Sequence, residues 1–258
     1  MFIQGPSHTP KKVTYNSREN AINAHLYIPE GTGPFPCVVD NHGSQLNTGD
    51  SDISRPQTGA FFISLGCAYL FPHRAGYGDS SGIKLTEAVP APRGTPEHDF
   101  QMVKRLQIEN EDVIASLNWL ENQREIDSRR ICCMGSSLGG IHTLLALSRD
   151  KRWKCGVNFS GGASQWNDHP MIRDMITNAA RKLETPIFLI QPENDFNIAP
   201  TKELFRLLQN SGGLHSAAIF PPWGVDGGEA HRFCSTGQQI WGPVVQTFLK
   251  KHLLGIKF

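Results

Sequence analysis

Excess charge of one sign, paired cysteines, repeats and linkers are all missing from this 258-residue sequence, and each absence excludes something. Its 25 Lys and Arg against 24 Asp and Glu leave a formal net charge of +1, which argues against a nucleic-acid or anionic-membrane surface. A long stretch free of Asp, Glu, Lys and Arg runs from Pro56 to His73 and contains Pro56, Gln57, Gly59, Ser64 and Gly66. It reads as a buried helix followed by a strand, not as a membrane span. The six cysteines (Cys37, Cys67, Cys132, Cys133, Cys155, Cys234) form no C-x-x-C pair. Four lie in or beside apolar runs, which predicts buried free thiols and neither disulfides nor a metal site. Met1 to Pro6 carry no basic or apolar leader pattern, so the expected location is cytoplasmic. With no linker, repeat or low-complexity segment, residues 1–258 are expected to form a single domain.

What is present is enough apolar material for a sizeable core: 39% hydrophobic residues against 19% charged. Lys12 to Tyr15 and Ala21 to Ile28 carry mixed polar and apolar strand formers with a turn over residues 16–20, predicting an antiparallel hairpin. Short apolar runs follow at Cys37–Asp40, Cys67–Phe71, Ile131–Met134, Cys155–Phe159, Ile187–Ile190 and Ala217–Phe220. Short runs without alternation, separated by helical stretches, suit a parallel sheet covered on both faces. The helices are expected at Glu109–Asn122, Leu138–Ser148, Met171–Lys182, Lys202–Leu208 and Gln238–Leu254. The fold class predicted is therefore α/β.

The sharpest motif is Gly135-Ser136-Ser137-Leu138-Gly139, directly after the run Ile131–Met134 and opening the next helix. A G-x-S-x-G at a strand-to-helix turn forces a tight backbone, and the helix N-terminus behind it stabilises negative charge. Only Ser137 has glycine two residues to either side, so Ser137 is the candidate nucleophile. The backbone N–H of Leu138, the next residue, is the expected first oxyanion donor.

From Ile126 to Gly140 the sequence resembles the nucleophile region of the α/β-hydrolase superfamily, nearest its dienelactone-hydrolase-like and acyl-peptidase-like branches. The likeness extends from about Pro34 to Leu254, with Ser137 where dienelactone hydrolases proper use cysteine. The resemblance implies a mostly parallel sheet of about eight strands, the N-terminal hairpin at one side and helices on both faces; the 27 residues from Ser160 to Pro186, where the superfamily commonly inserts lids, are too few for a large cap domain. It also implies the chain order serine, acid, histidine. Gln191-Pro192-Glu193-Asn194-Asp195 resembles the family's acid loop; Asp195 fits the acid position, with Glu193 as the alternative. Of ten histidines, His231 lies in the loop beyond the last strand, where the family has its base. His215 precedes that strand, and His142 falls inside a helix. Asn41-His42-Gly43-Ser44-Gln45 resembles the family's oxyanion loop, with Ser44 N–H as second donor and His42 bracing the loop.

Other features have structural readings. Gly76-Tyr77-Gly78 lacks the third glycine and the prompt helix of a dinucleotide site. Glu97-His98-Asp99 is expected to be a solvated helix start. Trp166 and Trp223 are candidate walls of a substrate pocket. The implied activity is a serine carboxylesterase for short acyl chains. It needs no cofactor or metal, and its partner is a small-molecule ester. Amide, peptide or lactone hydrolysis stays open, as does a binding or receptor protein that keeps the fold without turnover.

Overall fold

A computed structural model describes residues 9–44, 46–47, 49–50 and 52–256; Met1 to Pro6 and Gln45 of the sequence readings lie outside the described residues. Eight strands form one sheet: β1 (Lys11–Ser17), β2 (Asn20–Tyr27), β3 (Phe35–Asn41), β4 (Ala68–Pro72), β5 (Ile126–Ser136), β6 (Cys155–Phe159), β7 (Ile187–Pro192) and β8 (Ser216–Phe220). Their spatial order is β1-β2-β4-β3-β5-β6-β7-β8. The β1–β2 and β2–β4 pairs are antiparallel and every other pair is parallel. The hairpin turn is tighter than expected: both strands pair as far as Ser17–Asn20, leaving only Arg18 and Glu19 between them.

The helices are α1 (Pro56–Ser64), α2 (Leu85–Ala88), α3 (Pro96–Leu120), α4 (Leu138–Arg149), α5 (Pro170–Arg181), α6 (Ala199–Leu208), α7 (Gly227–His231), α8 (Phe233–Thr236) and α9 (Gln238–His252). One core lies between the sheet and α3, α4, α5 and α6, with Leu106, Ile141, Ile172 and Leu204 in it. The other lies beneath α1, α8 and α9, around Phe62, Phe233 and Trp241. Adjacent strand residues serve opposite cores, Cys132 one and Cys133 the other. Covering on both faces therefore produces unbroken apolar runs. All six cysteines are buried and unpaired. No described helix is long and apolar enough to cross a membrane.

Three expectations need correction. Helix α3 begins at Pro96 rather than Glu109, capped by Thr95, whose side chain accepts from His98 N–H. Its first half was hidden because the buried face there carries Asp99, Arg105 and Glu109 alongside Met102 and Leu106, which masks an apolar stripe. Asp99 is accordingly not solvated: it is 2% exposed and accepts from Met171 N–H at 2.7 Å and Ile172 N–H at 3.3 Å. In this way it satisfies donors that the start of α5 leaves open. Helix α1 is only half-buried, through Thr58, Gly59 and Phe62.

Candidate active site

The parallel strands all end at one edge of the sheet, and the predicted residues meet there. Ser137 stands between β5 and α4 with φ 57° and ψ −120°, a conformation that costs a non-glycine residue about 1–3 kcal/mol. Its surroundings impose that conformation. Ser137 N–H donates to Phe159 O at 2.9 Å, tying the turn to β6. A Cβ on Gly139 would overlap the Asn41 carbonyl oxygen, and one on Gly135 would overlap the Gly139 carbonyl. Both flanking glycines are therefore needed for strand β3, the turn and α4 to approach each other.

Asp195 lies three residues beyond β7, and His231 ends the short helix α7 rather than sitting in an open loop. His231 Nδ1 is 2.9 Å from Asp195 Oδ1, and Nε2 is 2.9 Å from Ser137 Oγ. With Asp195 ionised, Nδ1–H donates to the carboxylate, leaving Nε2 to accept the serine hydroxyl. Burial pushes the Asp195 carboxyl up, but bonds from His231, Ser160 and Gln191 outweigh it and hold the group below its ordinary value. Phe196 N–H donates to Asp195 Oδ1 at 2.7 Å, and Gln191 Nε2–H to Oδ2 at 2.9 Å. Thr201 Oγ1–H fixes Gln191 through its carbonyl oxygen at 2.7 Å. Glu193, the alternative acid, is exposed and takes no part. Nothing in the sequence marked Gln191, Ser160 or Thr201, although Gln191 is a lone polar residue ending an apolar run.

The His42–Ser44 loop passes beside Ser137: a Cβ on Gly43 would stand 3.3 Å from Ser137 Cβ. His42 braces this loop. Its Nδ1–H donates to Gly43 O at 2.6 Å, and its Nε2 accepts Arg74 N–H at 3.1 Å. This is a neutral tautomer; burial and the Arg74 charge push the imidazole well below its ordinary value. Arg74 Nη1 also donates to His42 O at 2.8 Å, while its Nε meets Glu109 Oε2 at 3.0 Å. Glu109 further receives Arg105 Nε at 2.6 Å and His142 Nε2 at 3.0 Å. His142 thus belongs to a buried charge cluster behind the loop. His215 stands apart, bonded to Ser211 Oγ at 3.0 Å.

A cleft of about 360 Å³ opens over Ser137 and His231. Phe196, 57% exposed, lays its ring against His231 with centroids 4.9 Å apart. Trp166 and Trp223 are not among the lining residues, which corrects the expectation for both. Trp166 is 3% exposed and turned into the core, its Nε1–H on Glu203 Oε1 at 3.3 Å. Trp223 packs on Phe233 and donates to Thr236 Oγ1 at 2.9 Å. Among the described residues no group of His, Cys, Asp and Glu is arranged to hold a metal ion.

Similarity to known proteins follows the same lines. The prolyl oligopeptidase family matches residues 87–174, about a third of the chain and including Ser137. A Pyrococcus furiosus esterase superposes with a TM-score of 0.71 at 18% identity, covering 96% of this chain and 92% of its own. A Pyrococcus horikoshii acylaminoacyl peptidase gives 0.68 at 16% identity, covering 96% of this chain but 42% of the peptidase. The chain has the α/β-hydrolase fold. Within that fold Ser137 stands at the turn between β5 and α4. Est1E from Butyrivibrio proteoclasticus, solved with ferulic acid bound, also superposes, with a TM-score of 0.66 at 14% identity over 94% of this chain and 99% of its own. Two Escherichia coli proteins described as uncharacterized 31.7 kDa proteins of the traX-finO intergenic region are 30% identical over 147 residues. That stretch is 57% of this hydrolase-fold chain and 44% of each relative.

Proposed function

We propose that the chain is a serine hydrolase that cleaves carboxylic esters of short acyl chain. The observation that carries this reading is the unbroken relay from Ser137 Oγ to His231 to Asp195 at the floor of an open cleft. His231 Nε2 takes the hydroxyl proton as Ser137 Oγ attacks the ester carbonyl, and the imidazolium is stabilised by Asp195. The tetrahedral oxyanion is held by Leu138 N–H, the first residue of α4, and by Ser44 N–H from the loop beside Ser137. An N–H in the first turn of a helix has no partner within it and is available for this role. Collapse gives an acyl-serine and releases the alcohol with the proton from His231. His231 then activates water, which displaces the serine.

The substrate size rests on what covers the cleft. Between β6 and β7 the described chain forms α5 and turns. Each further methylene gains its ~0.8 kcal/mol only while inside a walled pocket. Acyl chains of about two to six carbons are therefore favoured over lipid-length chains. The match to the prolyl oligopeptidase family supports amide cleavage by the same residues as a second reading.

A fluorophosphonate probe should label the native protein and not Ser137→Ala, which loses about 10⁴-fold or more in kcat. A p-nitrophenyl ester series and an N-acyl-aminoacyl anilide then rank the two readings. Absence of labelling, with a Ser137→Ala variant indistinguishable from the native protein, would favour a binding scaffold instead.

A further inference from the structure

The wall of the cleft is charged with one sign. Its lining includes Arg55, Arg93 and Arg232 and neither Asp nor Glu. These arginines do not share one situation. Arg55 is partly buried and already matched: Nη1 donates to Asp40 Oδ2 at 2.7 Å, and the guanidinium lies over the Phe71 ring at 4.8 Å. Asp40 is fully buried and also accepts from Tyr69 OH at 2.7 Å. Arg55 and Asp40 thus form an internal pair with little net charge.

Arg93 and Arg232 have no acidic partner among the described residues. Arg93 Nη2 donates to the Ser164 carbonyl at 3.2 Å, which fixes the guanidinium at the rim while leaving its charge uncompensated. Arg232 directly follows His231 at the start of α8. Elsewhere on this surface some arginines are compensated, Arg152 by Asp150 and Glu121, Arg149 by Glu111 and Arg130 by Asp127, while Arg124, Arg173, Arg181 and Arg206 have no carboxylate partner among the described residues; what sets Arg93 and Arg232 apart is that both line the cleft. Two uncompensated guanidiniums bordering the one cleft that holds Ser137 form an electrostatic funnel, and each offers a planar donor fork matched to a carboxylate.

We propose that the substrate is an anionic ester, one whose non-reacting part bears a carboxylate received by Arg93 and Arg232. This specificity rests on the esterase reading of Ser137. Neutral esters would gain nothing from the two charges, and cationic ones would be repelled. At partly solvated separations of a few ångströms the attraction amounts to about a tenfold preference, weakening as salt screens it.

The test compares kcat/KM in two matched pairs. These are mono-p-nitrophenyl adipate against p-nitrophenyl hexanoate, and 3-carboxyphenyl butanoate against phenyl butanoate. In low salt at least one carboxylate-bearing member should exceed its neutral counterpart about tenfold. The ratio should shrink with added NaCl and fall to about one in Arg93→Gln/Arg232→Gln. Both side chains are exposed, so circular dichroism should report an intact fold. No preference in either pair while the neutral esters are still hydrolysed would overturn the proposal alone, as would a preference that survives the double substitution. No hydrolysis of any of the four would overturn the esterase reading and this one with it.

Discussion

Replacing Glu109 by Gln removes the one carboxylate among the described residues that touches Arg74, Arg105 and His142 together. Side-chain exposure is 0% for Arg74, 1% for Glu109 and 7% for Arg105, with contacts of 3.0 and 2.6 Å to the two arginines. Burial raises the Glu109 carboxyl, but Arg74, His142 and Arg105 overcome that and hold it well below its ordinary value. The substitution leaves two buried guanidiniums facing a neutral amide, and breaking a buried pair this way costs about 3–5 kcal/mol. Against a total stability of about 5–15 kcal/mol for a natural domain, that is at least about a fifth. Urea denaturation followed by tryptophan fluorescence measures it. Arg152→Gln serves as a reference, because its partners are partly solvated and such pairs are worth about 0–1 kcal/mol. The same variant should lose activity before it unfolds, since Arg74 carries the His42 carbonyl and with it the Gly43–Ser44 loop. A loss below about 1 kcal/mol, equal to that of Arg152→Gln, would refute the reasoning: the cluster would then be solvated, and Arg74 would not depend on its carboxylate.

Asp195→Asn should cost about 10⁴-fold in kcat by leaving His231 in the wrong tautomer, while Glu193→Gln should cost little; the reverse ranking in ester kinetics would move the acid role to Glu193. Gly139→Ala should lower Tm or abolish soluble expression, because its Cβ overlaps the Asn41 carbonyl; a variant as stable as the native protein would mean that β3 and α4 are less closely packed. Stability should also fall on acidification. Burial and the Arg74 charge lower His142 to about 4, whereas an unfolded histidine binds its proton near ~6.5. The unfolded state therefore takes up more protons between those values, and stability is lost as pH drops through that window. Burial shifts His42, His73 and His169 the same way. The depressed Glu109 adds a further loss below the ordinary glutamate range. Urea midpoints that stay level from pH 7 to pH 4 would contradict these assignments.

The strand-turn-helix around Ser137 was legible in the sequence because its physics is local. Two glycines at fixed offsets from Ser137, an apolar strand before and an apolar helix after can produce one backbone path and little else. The parallel strands β3 to β7 were legible for a related reason: each is a short, mainly apolar run, as burial on both sheet faces demands, while β8 at the sheet edge is only partly covered. Asp195 and His231 could be placed only through the chain order of a resembling family. What brings them within 2.9 Å of each other is the parallel order of β5, β7 and β8. Periodicity failed where buried positions are charged. The first half of α3 was lost because Asp99, Arg105 and Glu109 look like surface residues until their partners arrive from residues 74, 142, 171 and 172. Trp166 and Trp223 were misplaced for the opposite reason. Chain position put both near the active edge, but a side chain's direction depends on which neighbour offers it a cavity, and both found theirs away from the cleft. The uncompensated Arg93 and Arg232 are likewise a tertiary fact, because whether a charge is paired depends on what other segments bring to it.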